Sequence, residues 1–566
     1  MLEATSLRVE IYPDKREMEI GGAYVLANTS SAAIDSIHLA TFPGVATEAV
    51  SFSRPAAPAL LDDDLGYRIY ALEKPLQPGD SLQLSFKVNV APHGFRNNGG
   101  DTFVFENGTY FTNLDLLPSI GYQRNRELNR MAVRKQYGLA TRPAVPSIDD
   151  TESRRVRVGG DRLRFEAIVG TSGDQTAIAP GALRRTWTER GRRYFHYATY
   201  VPINNDYAVF SADYALHEEQ WSPSAGSGHA VAIQIFHHSK HSAALGRMVA
   251  SVRASLERYT REFGPYPHSY LRLIENPARG MGVESAPATL EYGEGFSLLN
   301  PGDGPQDLDL VFAVVAHGVA HEWWGEEVAA ADVEGSGLLN RSLETYSAMR
   351  VVEDTLGPDR LGRYLLFMRE QYGTPSTRAA PPLLRATDSF AYSRKGLFAL
   401  YALREYIGKD RVDDALRRLF EKHSSGAPPL PISLDLYREL QAVTPNQFQS
   451  LLHDLFEKNT FWDLEIDRAT AQQTAAGAWQ VMLNVRARKV VVDEMGIETE
   501  MPSSIEMKTR IAFPSRGYLN TRAASTLMSD RSRGTSGSAT HSGRNNSFEK
   551  SSSIDAPSDR QSSHSI

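Results

Sequence analysis

Two histidines, His317 and His321, stand four residues apart in the stretch VVAHGVAHEWWG. Residues i and i+4 share one face of a helix, so two imidazoles there can point at a single ion. This is the geometry of the H-E-x-x-H pattern, in which two histidines hold zinc and the glutamate serves as general base. Here the residue after the first histidine is Gly318, so the base position has lost its side chain. An isolated H-x-x-x-H reads first as two ordinary helix histidines. The surroundings favour the metal: VFAVVA before His317 is apolar on all sides, as in a buried helix, and HEWWG adds two tryptophans and a stop-like glycine.

Other side chains near these histidines in sequence have plain readings. Glu344 reads as an exposed helix carboxylate, with a metal ligand as the alternative. Glu322 should point away from His317 and reads as a surface or supporting group. Glu326 and Glu327 read as a solvated acidic turn. Trp323 and Trp324 should pack between this helix and a neighbour. A second histidine cluster, FHHSKH (His237, His238, His241), follows the strand-like AVAIQI and reads as a solvated loop rather than a metal site.

Periodicity locates the strands and helices that carry these residues. From Leu7 to about His217, segments such as SLRVEIYP and SLQLSFKVNVAP alternate apolar and polar residues, which predicts a large β-domain with INNDYAVFSADYALHE as its closing strand. Helical periods dominate from about Glu218 to Trp462. HSAALGRMVASVRASLERYTREFG ends at Gly264 and Pro265, and Asp307 and Asp309 suit the N-terminus of the histidine helix. A few strands are expected between Leu271 and Glu294. Strand patterns return at WQVMLNVRARKVVVDE. From Pro514 the chain is rich in Ser, Gly, Asn and Arg with few large apolar residues, so it should be disordered. The expected divisions are a β-domain over 1–217, a helical domain over 218–463, a short β unit over 464–513 and a tail over 514–566.

Bulk properties narrow the function classes. A chain of 566 residues should form several domains, and 41% hydrophobic with 23% charged residues is ordinary for a globular protein. A net charge of -7 gives no reason to expect nucleic acid as a partner. With no cysteine, any metal must sit on His, Asp or Glu. The first twenty residues contain no apolar core of signal-peptide length, and no apolar run is long enough to span a membrane. The compartment stays open: no export signal points to the cytoplasm, and zero cysteine fits either side of a membrane.

Beyond single motifs, the stretches GFRNNGGDTF, LLPSIGYQ, FGPYPHSYLRLIE, HGVAHEWWGEEVAAADVEGSG, SLETYSAM and RKGLFALYALREYIGKDRVDDALRRLF together resemble the gluzincin zinc aminopeptidases, which include membrane alanyl aminopeptidase and leukotriene-A hydrolase. The chain is most similar to a bacterial subgroup in which the peptidase follows an ABC-transporter permease. The resemblance implies an α+β multidomain fold: an N-terminal β-saddle, a thermolysin-like, mostly helical catalytic domain, a short C-terminal β unit and the tail. It places zinc on His317 and His321 and the general base at Gly318. The third zinc ligand would fall at Asn340 or Arg341, depending on a one-residue gap, and a cation at 341 would repel zinc. The oxyanion tyrosine would fall at Ser393, with Tyr392 one residue away. The amine-binding glutamate of the family matches Glu284 in GMGVESA.

These observations predict a metallopeptidase-type fold with degenerate chemistry, weak or absent zinc, and a cleft for a peptide or protein N-terminus. The alternatives are an active zinc aminopeptidase that uses His317, His321, Glu344 and Tyr392, and a remnant of a transporter-fused protein. The subgroup also implies association with a transporter and a location outside the cytoplasm.

Overall fold

The computed structural model describes residues 1–502 apart from short stretches, among them 92–102, 141–144, 225–227, 300–306, 371–377 and 474–478. Most of GFRNNGGDTF and the whole Ser-rich tail lie outside the described residues. The chain divides into two units, Met1–Tyr372 with Pro382–Glu457, and Gly373–Pro381 with the residues from Lys458 onward.

The first unit opens with the alternation seen in the sequence. In the strand Leu2–Tyr12, Leu7, Val9 and Ile11 are buried while Ser6 and Arg8 are exposed. One buried face is what a sheet packed on a single core requires. This strand is central. It runs parallel to Arg162–Ser172, with Val9 opposite Val169, and antiparallel to Glu17–Ala27, with Val9 opposite Ile20. Ser81–Val90 and Ala46–Phe52 extend the sheet on one side, and Arg192–Ala198 and Ala182–Glu189 on the other. Met18, Leu84, Val88 and Phe165 fill its core.

The expected closing strand is instead three strands in three sheets: Ile203–Asn204, Ala208–Ala212 and Tyr214–Trp221. Burial explains the break. Every residue of Ala208–Ala212 is buried, whereas in Tyr214–Trp221 the residues up to Gln220 are exposed or half-buried and only Trp221 at the end is buried. A segment that changes from two covered faces to one cannot remain in one flat strand. Tyr214–Trp221 begins a five-stranded sheet, followed in order by Val231–His238, Tyr270–Asn276, Thr289–Gly293 and Val283–Ala286. The last three are the strands expected between Leu271 and Glu294.

Helices then take over. Leu245–Phe263 buries Met248, Val252, Leu256, Tyr259 and Phe263, a three-to-four spacing, and ends at Gly264 with φ 114°. The histidine helix, Leu310–His321, buries all but its ends, as its uniformly apolar sequence requires. Asp309 caps it by accepting a hydrogen bond from the Phe312 amide at 3.0 Å. Ser251 Oγ donates to Phe312 O at 2.7 Å, and Tyr259 Oη donates to Ala316 O at 3.0 Å, which fixes the helix against its neighbour. The helix continues as wide π turns over Glu322–Glu327, and a second π segment, Leu338–Ser342, leads into Leu343–Glu370, which is kinked at Gly357 and Pro358. A third, Ala391–Lys395, precedes Gly396–Ile407. Lys409–His423, Ser433–Val443 and Gln449–Phe456 complete the helical part. Among the described residues no helix is long and apolar enough to cross a membrane.

The second unit contains an antiparallel sheet of Thr460–Gln473, Trp479–Val492 and Glu498–Met501. Arg378 binds it through Asp463 at 2.7 Å and Glu498 at 3.2 Å, with its guanidinium 4.8 Å from the Phe461 ring centre.

The cap of the histidine helix is open to test. Asp309 also pairs with Arg247 at 3.2 Å. Asp309→Ala should lower unfolding stability by about 1–2 kcal/mol, and Asp309→Asn, which keeps a capping oxygen, by clearly less. Urea denaturation midpoints of the two variants measure the difference.

Candidate metal centre

His317 and His321 lie on one face of their helix, as their spacing requires, and both side chains meet Glu344. Glu344 is fully buried, not the exposed helix carboxylate its sequence suggests. Its Oε1 is 2.7 Å from His321 Nδ1 and its Oε2 is 3.2 Å from His317 Nε2. The register that delivers it comes from the π turn Leu338–Ser342, whose extra residue rotates the helix after it. Arg341, not Asn340, faces the histidines. Its Nη1 is 3.5 Å from His317 Nε2 and 3.4 Å from Glu344 Oε2.

Charges settle accordingly. Burial works against ionising Glu344, but Arg341 and His321 outweigh it and hold the carboxyl well below its usual range. Burial also opposes charge on His321, yet Glu344 and Glu326 push it up to about 10. Burial lowers His317, and Glu344 does not compensate for it. A zinc ligand needs a deprotonated imidazole nitrogen directed at the ion. Here the Arg341 guanidinium stands beside both His317 and Glu344, where an ion bonded to the pair would lie. Among the described residues no group of three or more His, Asp or Glu is arranged to hold a metal. The residues do not fit zinc in this arrangement.

Position 318 has no room for a side chain. A Cβ built on Gly318 would run into the Leu290 side chain, with Cγ at 2.8 Å, and would meet Ser285 Oγ at 3.3 Å. Leu290 is buried, so it has little room to move aside. The glycine therefore has a packing reason that the sequence did not reveal.

Neighbouring carboxylates are also not where sequence placed them. Glu322 is fully buried and accepts a hydrogen bond from the Ala288 amide at 3.1 Å, which excludes the surface reading. Glu326 and Glu327 are no solvated turn. Glu326 is buried 3.6 Å from His321 Nε2, and Glu327 pairs with Arg162 at 3.4 Å. The cause is the π helix, which carries the chain on past Gly325 with Gly325 packed against the His321 ring. Trp323 and Trp324 are core residues, against Tyr259 and Tyr266 and against Phe263 and Phe420 respectively.

Glu284 lies on Val283–Ala286, directly opposite Glu291 in the strand register. Burial raises its pKa, as does Asp206, while Arg341 lowers it. Glu291 is buried and accepts from Tyr110 Oη at 3.0 Å. Burial first, then Glu284, push it up to about 8. Asp206 is raised by burial and by Glu326. Sequence pointed to Glu284 alone; Asp206 is distant from it along the chain, Glu291 lies seven residues on across a hairpin, and neither bears a motif. Tyr392 belongs to the third π segment, and its ring lies against Gly337. Burial raises its pKa, and Arg341 is near enough to oppose the shift.

The FHHSKH stretch is in part the exposed turn its sequence suggests, since His238, Ser239 and Lys240 are exposed, but its outer histidines are packed. His237 is buried, and His241 Nδ1 is 2.5 Å from Glu275 Oε1. Glu275 Oε2 also accepts from the His238 amide at 2.9 Å, which ties the strand end to the turn.

The sequence matches no protein-family profile and no curated protein. Solved structures do match its fold. A point mutant of an M1 zinc metallopeptidase from Deinococcus radiodurans aligns with a TM-score of 0.56 at 16% identity, over 81% of this chain and 95% of that one. The unmutated enzyme from the same organism aligns at 0.55, also at 16%, over 81% and 94%. A mutant form bound to a Tyr-Ser-Ala substrate gives 0.55 at 16%, over 81% and 94%. At this identity the likeness shows the fold: an N-terminal β-rich region followed by a helical domain, as in those enzymes.

Two measurements probe this geometry. Gly318→Glu should destabilise the chain by about 1–3 kcal/mol through overpacking, and adding Leu290→Ala should recover part of the loss in a thermal melt. Glu291 titrates at about 8 when folded against an ordinary 4.5. A raised carboxyl contributes stability that is complete below its unfolded value and lost as pH rises through the folded one. The stability of the wild type relative to Glu291→Gln should therefore fall steadily between those two pH values, as melting curves across that range would record.

Proposed function

We propose that this chain is a zinc-aminopeptidase relative that keeps a cleft for peptide amino termini and has lost peptide hydrolysis. The observation that carries the reading is the base position. Gly318 supplies no proton acceptor, and Leu290 fills the space that one would need. Removal of a general base alone costs about 10²–10⁴ in rate, and losses within one catalytic unit do not add simply. The fold shared with M1 zinc metallopeptidases supports metallopeptidase descent.

The ligand class follows from the acidic lining. Asp206 and Asp115 are near enough to Glu284 to oppose its ionisation, and a cationic group such as a free α-amine would relieve that. In this reading Glu284 anchors the amine and Tyr392 borders the same space without acting on a tetrahedral intermediate. The resemblance to permease-linked peptidases adds a transporter as a candidate partner.

The convergence of His317, His321 and Glu344 favours a second reading, an active zinc enzyme with a shifted third ligand. One assay separates the two. The purified chain, incubated with a panel of aminoacyl fluorophores and zinc, should release no chelator-sensitive product. Turnover at an ordinary enzyme rate, stopped by a chelator, would establish the enzyme. Peptide binding is measured in parallel by fluorescence anisotropy. Glu284→Gln should weaken binding of a free-amine peptide about tenfold, the equivalent of ~1.4 kcal/mol, and leave an N-acetylated peptide unaffected.

A further inference from the structure

We infer that Arg341 is the resident cation of this centre, a guanidinium in place of a metal, and that His317, His321 and Glu344 form a latent divalent-metal site that Arg341 masks. Three contacts carry the inference. Arg341 Nη1 is 3.5 Å from His317 Nε2 and 3.4 Å from Glu344 Oε2, so it is nearly equidistant from a nitrogen and an oxygen that are 3.2 Å apart. Zinc binds nitrogen and carboxylate oxygen at about 2.0–2.2 Å. An ion bonded to both on that side of the pair would be in contact with Nη1, with no ligand between the two cations.

The neighbours of His317 support the same assignment: its Nε2 lies 3.2 Å from Glu344 Oε2 and 3.5 Å from Arg341 Nη1, while Thr345 Oγ1, which donates to Arg341 O at 2.6 Å, is 3.4 Å from its Nδ1. The carboxylate completes the set. Glu344 is fully buried, and its oxygens are divided between His321 and the His317–Arg341 pair. A buried carboxylate needs a cation, and the fold supplies one covalently at position 341.

Arg341 is therefore a positioning residue that excludes metal, and its removal should unmask the site. The probe is Co²⁺, whose visible absorption reports a protein site of low coordination, together with elemental analysis and a Zn²⁺ melting series on the full chain. Wild type should bind no Co²⁺ and show no Zn²⁺-dependent rise in melting temperature. Arg341→Ala and Arg341→Met should each take up one Co²⁺ per chain and be stabilised by Zn²⁺, and His317→Ala in either background should abolish both effects. Arg341→Lys, which keeps a cation, should remain metal-free. A variant that folds only with Zn²⁺ would also support the inference.

Stoichiometric metal in the wild type, lost on His317→Ala, overturns it. So do Arg341→Ala and Arg341→Met chains that fold yet take up no Co²⁺, or that fail to fold with and without Zn²⁺. A wild type that holds zinc but hydrolyses nothing would overturn this inference alone and leave the proposed function intact.

Discussion

A carboxylate sealed from water must be matched by protons or cations, because an uncompensated buried charge costs several kcal/mol. Glu344 imposes that constraint here. Its two oxygens hold His321 and the His317–Arg341 pair, so one side chain ties the histidine helix to the π turn at Leu338–Ser342 and to the helix after it. The rest of the centre accommodates this arrangement. His321 is kept protonated between Glu344 and Glu326, and its ring lies against Gly325, where a side chain would not fit.

Three π segments surround the site: Glu322–Glu327, Leu338–Ser342 and Ala391–Lys395. Each wide turn inserts a residue relative to an α-helix and re-aims the side chains beyond it, which is why such turns occur mostly where geometry serves function. Here they bring Glu326 back toward His321, direct Arg341 to His317, and set the Tyr392 ring on Gly337.

Behind the centre, a second set of charges holds the helices together. Arg258, Arg350 and Arg404 are buried and pair with Asp354, Asp413 and Glu353. Burial opposes charge on Glu353, yet Arg404 and Arg350 hold it down to about 2. Tyr346, two residues after Glu344, reaches Asp413 at 3.4 Å, so the helix that presents Glu344 is anchored on its far side. These pairs and the Tyr346 contact tie the helix that presents Glu344 to its neighbours.

Much of this was legible in one dimension. Strand alternation, the 3.6-residue period of Leu245–Phe263, the all-round apolar histidine helix and its Asp309 cap are local patterns, and local patterns come from backbone geometry and burial. The i, i+4 spacing alone placed His317 and His321 on one face, and the missing side chain at 318 needed no structure to be seen. Other features depended on contacts between residues far apart in the chain. Leu290 closes the space over Gly318 across 28 positions, Glu291 is kept neutral by its surroundings, and Glu344 is buried because two histidines and an arginine meet it. The π turns decided which of two adjacent residues faces the histidines, a one-residue choice that periodicity cannot make because it assumes a regular helix. Residue types and spacing named the groups able to do chemistry. Which cation stands among them was settled in three dimensions, because it depends on packing and on a charge balance that no single segment contains.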